Sequence, residues 1–174
     1  MEHLWAPWRM AYIQAGGETD ECIFCAHPAE ARDEDYYILH RSTRCFVMLN
    51  IFPYNNGHLM IAPYQHVPSI EELDAETLSD VMQTAQLCLR AFHAAMQPHG
   101  FNMGINQGKV AGAGIADHVH FHIVPRWNGD TNFMPVLADI KVMPDYLRNT
   151  YRQLQQALRS LVDSPQSEEK PSER

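Results

Sequence analysis

The chain has 174 residues, of which 45% are hydrophobic, and it carries a formal net charge of -8 at neutral pH. This length and composition predict one hydrophobic core, in a single domain that spans residues 1–162. Lysine and arginine residues form no cluster, which argues against a nucleic-acid partner. The first residues lack the apolar run of a signal peptide or membrane span, so we expect a cytoplasmic protein without a membrane partner.

Aromatic and aliphatic runs bounded by turn residues predict three strands, over residues 35–40, 44–51 and 58–63, with a loop over residues 52–57. Apolar residues at helical spacing then predict one amphipathic helix of about 25 residues within residues 69–100. The predicted apolar stripe of this helix consists of Leu78, Val81, Met82, Ala85, Leu89, Phe92 and Met96.

Two further strands, over residues 100–108 and 118–125, surround a small-residue loop and are expected to pair antiparallel. Pro144 is expected to open a C-terminal helix. The apolar stripe of that helix consists of Leu147, Tyr151, Leu154, Leu158 and Leu161. Residues 163–174 are polar and predicted to be disordered. The order of elements predicts an α+β fold with helices packed on an antiparallel sheet.

Three histidines alternate with apolar residues in the segment HVHFHIV, at positions 118–124. On a strand, His118, His120 and His122 would share one face and converge on a small ligand. Such a set is compatible with structural histidines, with a catalytic zinc site or with nucleophilic attack on phosphorus. The neighbouring glycine-containing loop, residues 108–114, offers backbone amides for phosphate oxygens and favours phosphorus.

Cys22 and Cys25 form a C-x-x-C pair, which is a metal-binding or redox spacing. Histidines would have to complete a tetrahedral metal site, and spacing alone does not choose among the candidates. The candidates are His27, His40, His58, His66 and His118. The alternative is a pair of reduced thiols without a metal. Cys45 and Cys88 lie in apolar runs and are predicted to be inert core residues.

Taken together, these motifs resemble the histidine triad (HIT) superfamily of nucleotide hydrolases and transferases. HVHFHIV is similar to the family signature, NIFPYNNGHLMIAPYQH at 50–66 is similar to its Gly-His segment, and CIFC at 22–25 resembles its zinc knuckle. HLWAPWRMAYI and VPRWNGDTNFMPV also resemble the bacterial branch acting on diadenosine polyphosphates. The resemblance implies a histidine-triad fold, with a five-stranded antiparallel sheet, a long helix and a C-terminal helix per protomer, and a sheet extended across a homodimer.

The resemblance also implies roles for the histidines. His120 becomes the nucleophile that attacks the α-phosphorus and forms a nucleotidyl-histidine intermediate. His122 then contacts the phosphate oxygens, the main chain of His118 orients His120, and His58 lies beneath the triad.

Substrate-binding positions follow in the same way. Asn50 matches the group that binds the ribose hydroxyls, and Gln107 matches a polar side chain at the scissile phosphate. Gly114 stands where many members have Gln or Ser, a departure that affects how the leaving phosphates are held. Trp127 directly follows the histidine strand and is a candidate for stacking on adenine.

Zinc-bearing members of the family use ligands that correspond to Cys22, Cys25, His66 and His118. Four protein ligands close a zinc site, so this zinc ion would be structural. No organic cofactor is expected.

The predicted function is cleavage of diadenosine polyphosphates at the α-phosphorus, by hydrolysis or, with inorganic phosphate as acceptor, by phosphorolysis; a nucleoside phosphoramidate is an alternative substrate. Two other hypotheses remain at this stage: a hydrolase that uses the triad as zinc ligands, and a nucleotide-binding protein without useful catalysis.

Overall fold

The computed structural model describes residues 21–131 and 145–163. The predictions for the N-terminal arm at residues 1–20, for Pro144 and for residues 164–174 lie outside these ranges. Within them, none of the helices combines the length and the hydropathy needed to cross a membrane.

Five antiparallel strands form one sheet in the order β1-β2-β3-β5-β4. The strands are β1 (Ile38–Arg41), β2 (Cys45–Leu49), β3 (Leu59–Pro63), β4 (Gly100–Ile105) and β5 (Phe121–Arg126). The helices are α1 (Ile23–Ala29), α2 (Ala75–Ala95) and α3 (Leu147–Asp163). The architecture confirms the predicted α+β fold and the antiparallel pairing of β4 with β5.

Every residue of β2 and β3 is buried, so both faces of these central strands are covered. On one face α2 and α3 pack against alternate strand residues, which include Leu49, Ile61 and Ile123. On the other face α1 inserts Phe24 among the remaining alternates, which include Met48 and Met60. His122 in β5 is the register partner of Met60. The histidines therefore belong to the face that α1 covers.

Several element boundaries differ from the predictions. Strand β5 begins only at Phe121, so His118 and His120 lie in the extended segment before it. Strand β1 begins at Ile38 because the preceding residues form a turn in which Tyr37 has a φ of 57°. Strand β4 ends at Ile105, three residues before the predicted end.

The long helix is also shorter than predicted, with 21 residues. The Asp74 side chain accepts a hydrogen bond from the Thr77 amide and starts the helix there, while Ile70–Glu72 form a separate 3₁₀ turn. The assignment of Met82 to the apolar stripe is wrong, because its side chain is 53% exposed. The α3 stripe is confirmed: Tyr151, Leu154 and Leu158 are buried, and Leu147 and Leu161 are partly buried.

The loop between β2 and β3 turns back at Gly57, which has a φ of 77°. A Cβ atom built at this position would lie 3.0 Å from the Phe92 ring and 3.3 Å from Pro125. Both the backbone conformation and the close packing therefore require glycine. This requirement explains the glycine before His58.

Asp130 ties this loop to the end of β5. Its carboxylate accepts hydrogen bonds from Arg126 Nε at 2.6 Å and from Asn55 Nδ2 at 2.9 Å. The same Asn55 nitrogen donates to the Pro125 carbonyl oxygen, and the Asn55 carbonyl oxygen accepts from the His58 amide. The network thus holds the backbone that carries His58.

We predict that Asp130→Asn lowers the free energy of unfolding by about 1–3 kcal/mol at pH 7, because buried Asn55 loses its charged acceptor. The Arg126 hydrogen bond, followed by the Trp127 amide, holds the pKa of Asp130 well below its usual range. This stabilisation is therefore complete above the unfolded-state pKa of about 3.9 and is lost as the pH falls through the lower folded-state pKa. Urea unfolding at pH 7 and at lower pH should show the difference from wild type shrinking with acidification.

The exposed Asp163→Asn variant is the control, with an expected change within about 0.5 kcal/mol. A difference between wild type and Asp130→Asn that grew on acidification would contradict the assignment.

Candidate functional site

The three triad histidines are buried side by side on the α1-facing side of the sheet, with 0%, 5% and 8% exposure for His118, His120 and His122. The Val119 amide donates to the Val67 carbonyl oxygen at 2.7 Å, which keeps the segment before β5 extended. The imidazole centroids of His120 and His122 are 4.9 Å apart and nearly perpendicular, at 70°. These two rings therefore lie edge to face against each other.

His120 is oriented by the main chain of His118. Its Nδ1 lies 2.9 Å from the His118 carbonyl oxygen, so Nδ1 carries the proton and donates it. The Nε2 atom of a neutral His120 then keeps its lone pair. Burial lowers the pKa of His120, against the opposing effect of this hydrogen bond, and favours the neutral ring near pH 7.

His122 has the opposite arrangement. The Tyr54 amide donates to Nδ1 of His58 at 3.1 Å, so the proton of a neutral His58 lies on Nε2. That Nε2 is 2.8 Å from Nδ1 of His122 and donates to it. Nδ1 of His122 is therefore an acceptor, and Nε2 of His122 carries the proton.

The pair consequently carries two different groups at its Nε2 atoms. The lone pair on His120 Nε2 suits attack on an electrophilic atom, and the N–H of His122 suits donation to an anionic oxygen. The Tyr54 ring lies over His58 and His122, with centroids at 4.6 and 5.8 Å.

A second group of side chains lies next to the triad. Ligand atoms of Cys22, Cys25, His66 and His118 all lie within 4.8 Å of one another. The amides of Cys25 and Ala26 both donate to the Cys22 carbonyl oxygen, which closes the turn that brings the two thiols together. The structure therefore brings together the four residues that the family resemblance selects.

The spacing around His118 Nδ1 suits a tetrahedral zinc ion. Tetrahedral sulfur and nitrogen ligands at their usual zinc distances lie about 3.3–3.8 Å from one another. Nδ1 of His118 is 3.4 Å from Cys22 Sγ, 3.6 Å from Cys25 Sγ and 3.2 Å from His66 Nδ1. Nε2 of His118 lies 2.8 Å from the Pro63 carbonyl oxygen and donates to it, which leaves the Nδ1 lone pair for a metal.

The other histidine candidates for this group lie elsewhere in the fold. The His27 ring stacks on Tyr36 at 4.0 Å, His58 belongs to the His122 chain, and His40 lies on β1. Across residues 21–131 and 145–163, the set around Cys22 is the single Cys/His/Asp/Glu group with metal-site geometry. Of the triad it includes only His118, which does not support a zinc site built from all three triad histidines.

The predicted substrate-binding residues are placed in different surroundings. Asn50 lies beside the site, with Nδ2 at 3.4 Å from His58 Nδ1 and Oδ1 accepting from the Phe52 amide. Gln107 is exposed and accepts from the Ile70 amide, and Gly114 is exposed in its loop. The Trp127 indole donates to the Met96 carbonyl oxygen at the end of α2. Their contacts with substrate stay predictions.

Three features of the site escaped the sequence analysis. The Pro63 carbonyl and the Tyr54 amide are backbone groups, and a sequence pattern does not display where backbone groups point. Phe24 contacts the rings of both His118 and His120. Its only signal in the sequence is its place between the two cysteines.

Comparisons with known proteins agree on the family. The HIT domain model matches residues 32–129, which include both histidine motifs but not the cysteine pair. The crystal structure of a zinc-bound histidine triad family protein from Mycobacterium smegmatis superposes with a TM-score of 0.66 and 28% identity, over 82% of this chain and 96% of that one.

Two curated relatives are named for different reactions. The AP-4-A phosphorylase of Mycobacterium tuberculosis is 37% identical over 161 residues, which cover 88% of this chain and 83% of the relative. The adenylylsulfatase HINT3 of Arabidopsis thaliana is 30% identical, over 68% of this chain and 58% of the relative. From the family match, the relatives and the shared fold, we conclude that this chain belongs to the HIT domain family.

Proposed function

We propose that this protein is a nucleotide hydrolase or transferase that cleaves diadenosine polyphosphates at the α-phosphorus. The observation that carries the proposal is the opposite state of the two Nε2 atoms, a lone pair on His120 beside an N–H on His122. Phosphoryl chemistry needs both, because the nucleophile attacks phosphorus while a donor stabilises the charge on its oxygens. The similarity to the M. tuberculosis AP-4-A phosphorylase supports the substrate class.

The reaction would proceed in two displacements. In the first, His120 Nε2 forms a bond to the α-phosphorus, and the bond to the bridging oxygen breaks with its electron pair leaving on the polyphosphate. In the second, an acceptor oxygen attacks the same phosphorus and the nitrogen–phosphorus bond breaks, which returns the lone pair to His120; an attacking water molecule releases a proton to the solvent. His122 Nε2–H would donate to the non-bridging oxygens in both.

The acceptor distinguishes two enzymes. Water gives a hydrolase, and inorganic phosphate gives a phosphorylase; the name of the M. tuberculosis relative supports phosphate. Asn50, Gln107, Gly114 and Trp127 are proposed to bind the substrate as the family resemblance implies, and the cytoplasmic location stays a prediction.

The function is tested by incubating the full chain with diadenosine tetraphosphate, with and without labelled inorganic phosphate. We expect label in ADP, with ATP as the co-product, for phosphorolysis, and AMP plus ATP without label for hydrolysis. His120→Asn should abolish turnover and keep normal metal content, since His120 lies outside the metal group. Exposed His93→Asn is the matched control and should keep wild-type turnover.

Each outcome decides between the hypotheses. If His120→Asn loses both zinc and turnover, the result would favour a zinc hydrolase. If the wild-type chain binds diadenosine tetraphosphate without repeated turnover, the result would favour a regulator.

We also infer that Cys22, Cys25, His66 and His118 bind a structural zinc ion. The four ligand atoms and the lone pair on His118 Nδ1, which points among them, fit such an ion. Zinc would neutralise the two thiolates and fix α1 to the segment that follows β3 and to the segment before β5. All four positions would be filled by protein, which leaves none for substrate.

Removal of this metal should lower thermal stability more than it blocks the chemical step. For Cys25→Ser we expect a loss of zinc and a fall in Tm of roughly 10 °C, because several kcal/mol are lost and each lowers Tm by about 2–4 °C at this chain length. His27→Asn is the control, since His27 shares α1 but not the metal group. Zinc analysis measures the metal content, and calorimetry measures Tm. A rapid, reversible loss of turnover on chelation, with the fold intact, would contradict a structural role.

A homodimer is proposed as the working assembly, with the sheet continued across two copies. Strand β4 supports this proposal because it pairs with β5 on one side and forms the edge of the sheet. Asn102, Met103 and Gly104 on it are exposed. Exposed strand edges are usually covered or protected in native proteins.

Sedimentation of the full chain should give twice the monomer mass. Met103→Lys should shift the equilibrium toward monomer, because it replaces an apolar residue of β4 that is 48% exposed with a charged one. Val162→Lys, at a similarly exposed position on α3, should leave the mass unchanged. A monomeric wild type, or equal effects of the two variants, would overturn the edge-strand dimer.

A further inference from the structure

Phe24 occupies an unusual position in the candidate metal knuckle. It lies between Cys22 and Cys25 in the first turn of α1, yet its side chain is only 1% exposed. Its ring centroid is 4.7 Å from that of His120, with the planes tilted by 37°, and 5.3 Å from that of His118. The residue between the two thiols therefore packs on the ring whose Nε2 is the proposed nucleophile.

This contact supplies a restraint that the hydrogen bond does not. The Nδ1–H of His120 is held at one point by the His118 carbonyl oxygen, and a single hydrogen bond fixes an atom better than a ring plane. Phe24 and His122 add ring contacts at 4.7 and 4.9 Å. An aromatic side chain against an imidazole also excludes water from that side.

We propose that Phe24 is a positioning residue, which holds the His120 ring in the orientation that directs Nε2 at the α-phosphorus. The inference rests on the proposed function for its effect on rate. Its effect on the His120 ring is independent of any substrate. Because Phe24 stands between the two proposed cysteine ligands, the turn that brings the thiols together also sets the Phe24 ring against His120.

The competing explanation is that Phe24 only fills the core. Phe46 provides the matched control for this explanation. It belongs to the same buried cluster as Phe24 and is 0% exposed. Its ring contacts are with Tyr64 at 5.5 Å and with Phe24 at 6.4 Å, so it adds to the same core beside Phe24. A purely structural role predicts equal consequences for the two phenylalanines.

The experiment compares Phe24→Leu with Phe46→Leu in zinc-loaded full chain, which removes one aromatic ring from the same cluster in each case. Single-turnover kinetics with diadenosine tetraphosphate separate the amplitude, which counts folded sites, from the rate constant at each site. We expect the rate constant to fall by about ten- to hundredfold in Phe24→Leu, as for other small misplacements of a reacting group. It should change less than twofold in Phe46→Leu.

A second measurement needs no substrate. Diethyl pyrocarbonate modifies neutral imidazoles, and mass spectrometry of the peptide containing His120 follows its rate. Modification of His120 should be faster in Phe24→Leu than in wild type and unchanged in Phe46→Leu. Phe24→Met, with a more adaptable apolar side chain, serves as the second variant and should behave as Phe24→Leu does.

The outcomes are separable. Equal single-turnover rates and equal His120 modification in the Phe24 and Phe46 variants would overturn the positioning role and leave the proposed function standing. Faster modification of His120 in the Phe24 variants, together with no turnover in wild type, would support the positioning role and count against the proposed function. Reduced amplitude alone, at a wild-type rate constant and modification rate, would identify Phe24 as a core residue only.

Discussion

The hydrogen bond from His120 Nδ1 to the His118 carbonyl oxygen is the interaction on which the rest of the site depends. It fixes the proton of His120 on one nitrogen and leaves the lone pair on the other. The chain from the Tyr54 amide through His58 does the reverse for His122. Two chemically identical side chains thereby acquire opposite tautomers, because each has a different partner at Nδ1.

His118 connects this chemistry to the candidate metal site. Its carbonyl oxygen holds His120, while its ring lies between the Pro63 carbonyl oxygen and the thiols of the knuckle. The backbone and the side chain of one residue thus serve different sites. With this division, the proposed zinc ion would lie next to the proposed nucleophile without contacting the substrate, and α1 adds a second connection through Phe24.

Local patterns predicted much of the fold. The five strands, the long helix and the α3 stripe follow from periodicity and turn residues, since burial imposes a period of two on strands and 3.6 on helices. The errors have physical causes as well. Asp74 starts α2 later than the predicted segment begins at residue 69, Met82 lies at helical spacing but faces solvent, and the short α1 has no periodicity to reveal it.

By itself, the sequence determined the family motifs, the order of the elements and the residue types available for phosphorus chemistry and for a metal. Spacing alone left five histidine candidates for completing the metal group, among which only the family resemblance chose, and the sequence did not fix the tautomers of the triad histidines. The tertiary structure brings Cys22, Cys25, His66 and His118 together and sets the tautomers of His120 and His122. Residues separated by 41 to 96 positions meet only in the folded chain, and backbone groups such as the His118 and Pro63 carbonyls set each imidazole by hydrogen bonding. The tautomer of a histidine depends on its spatial partner, which no local pattern specifies.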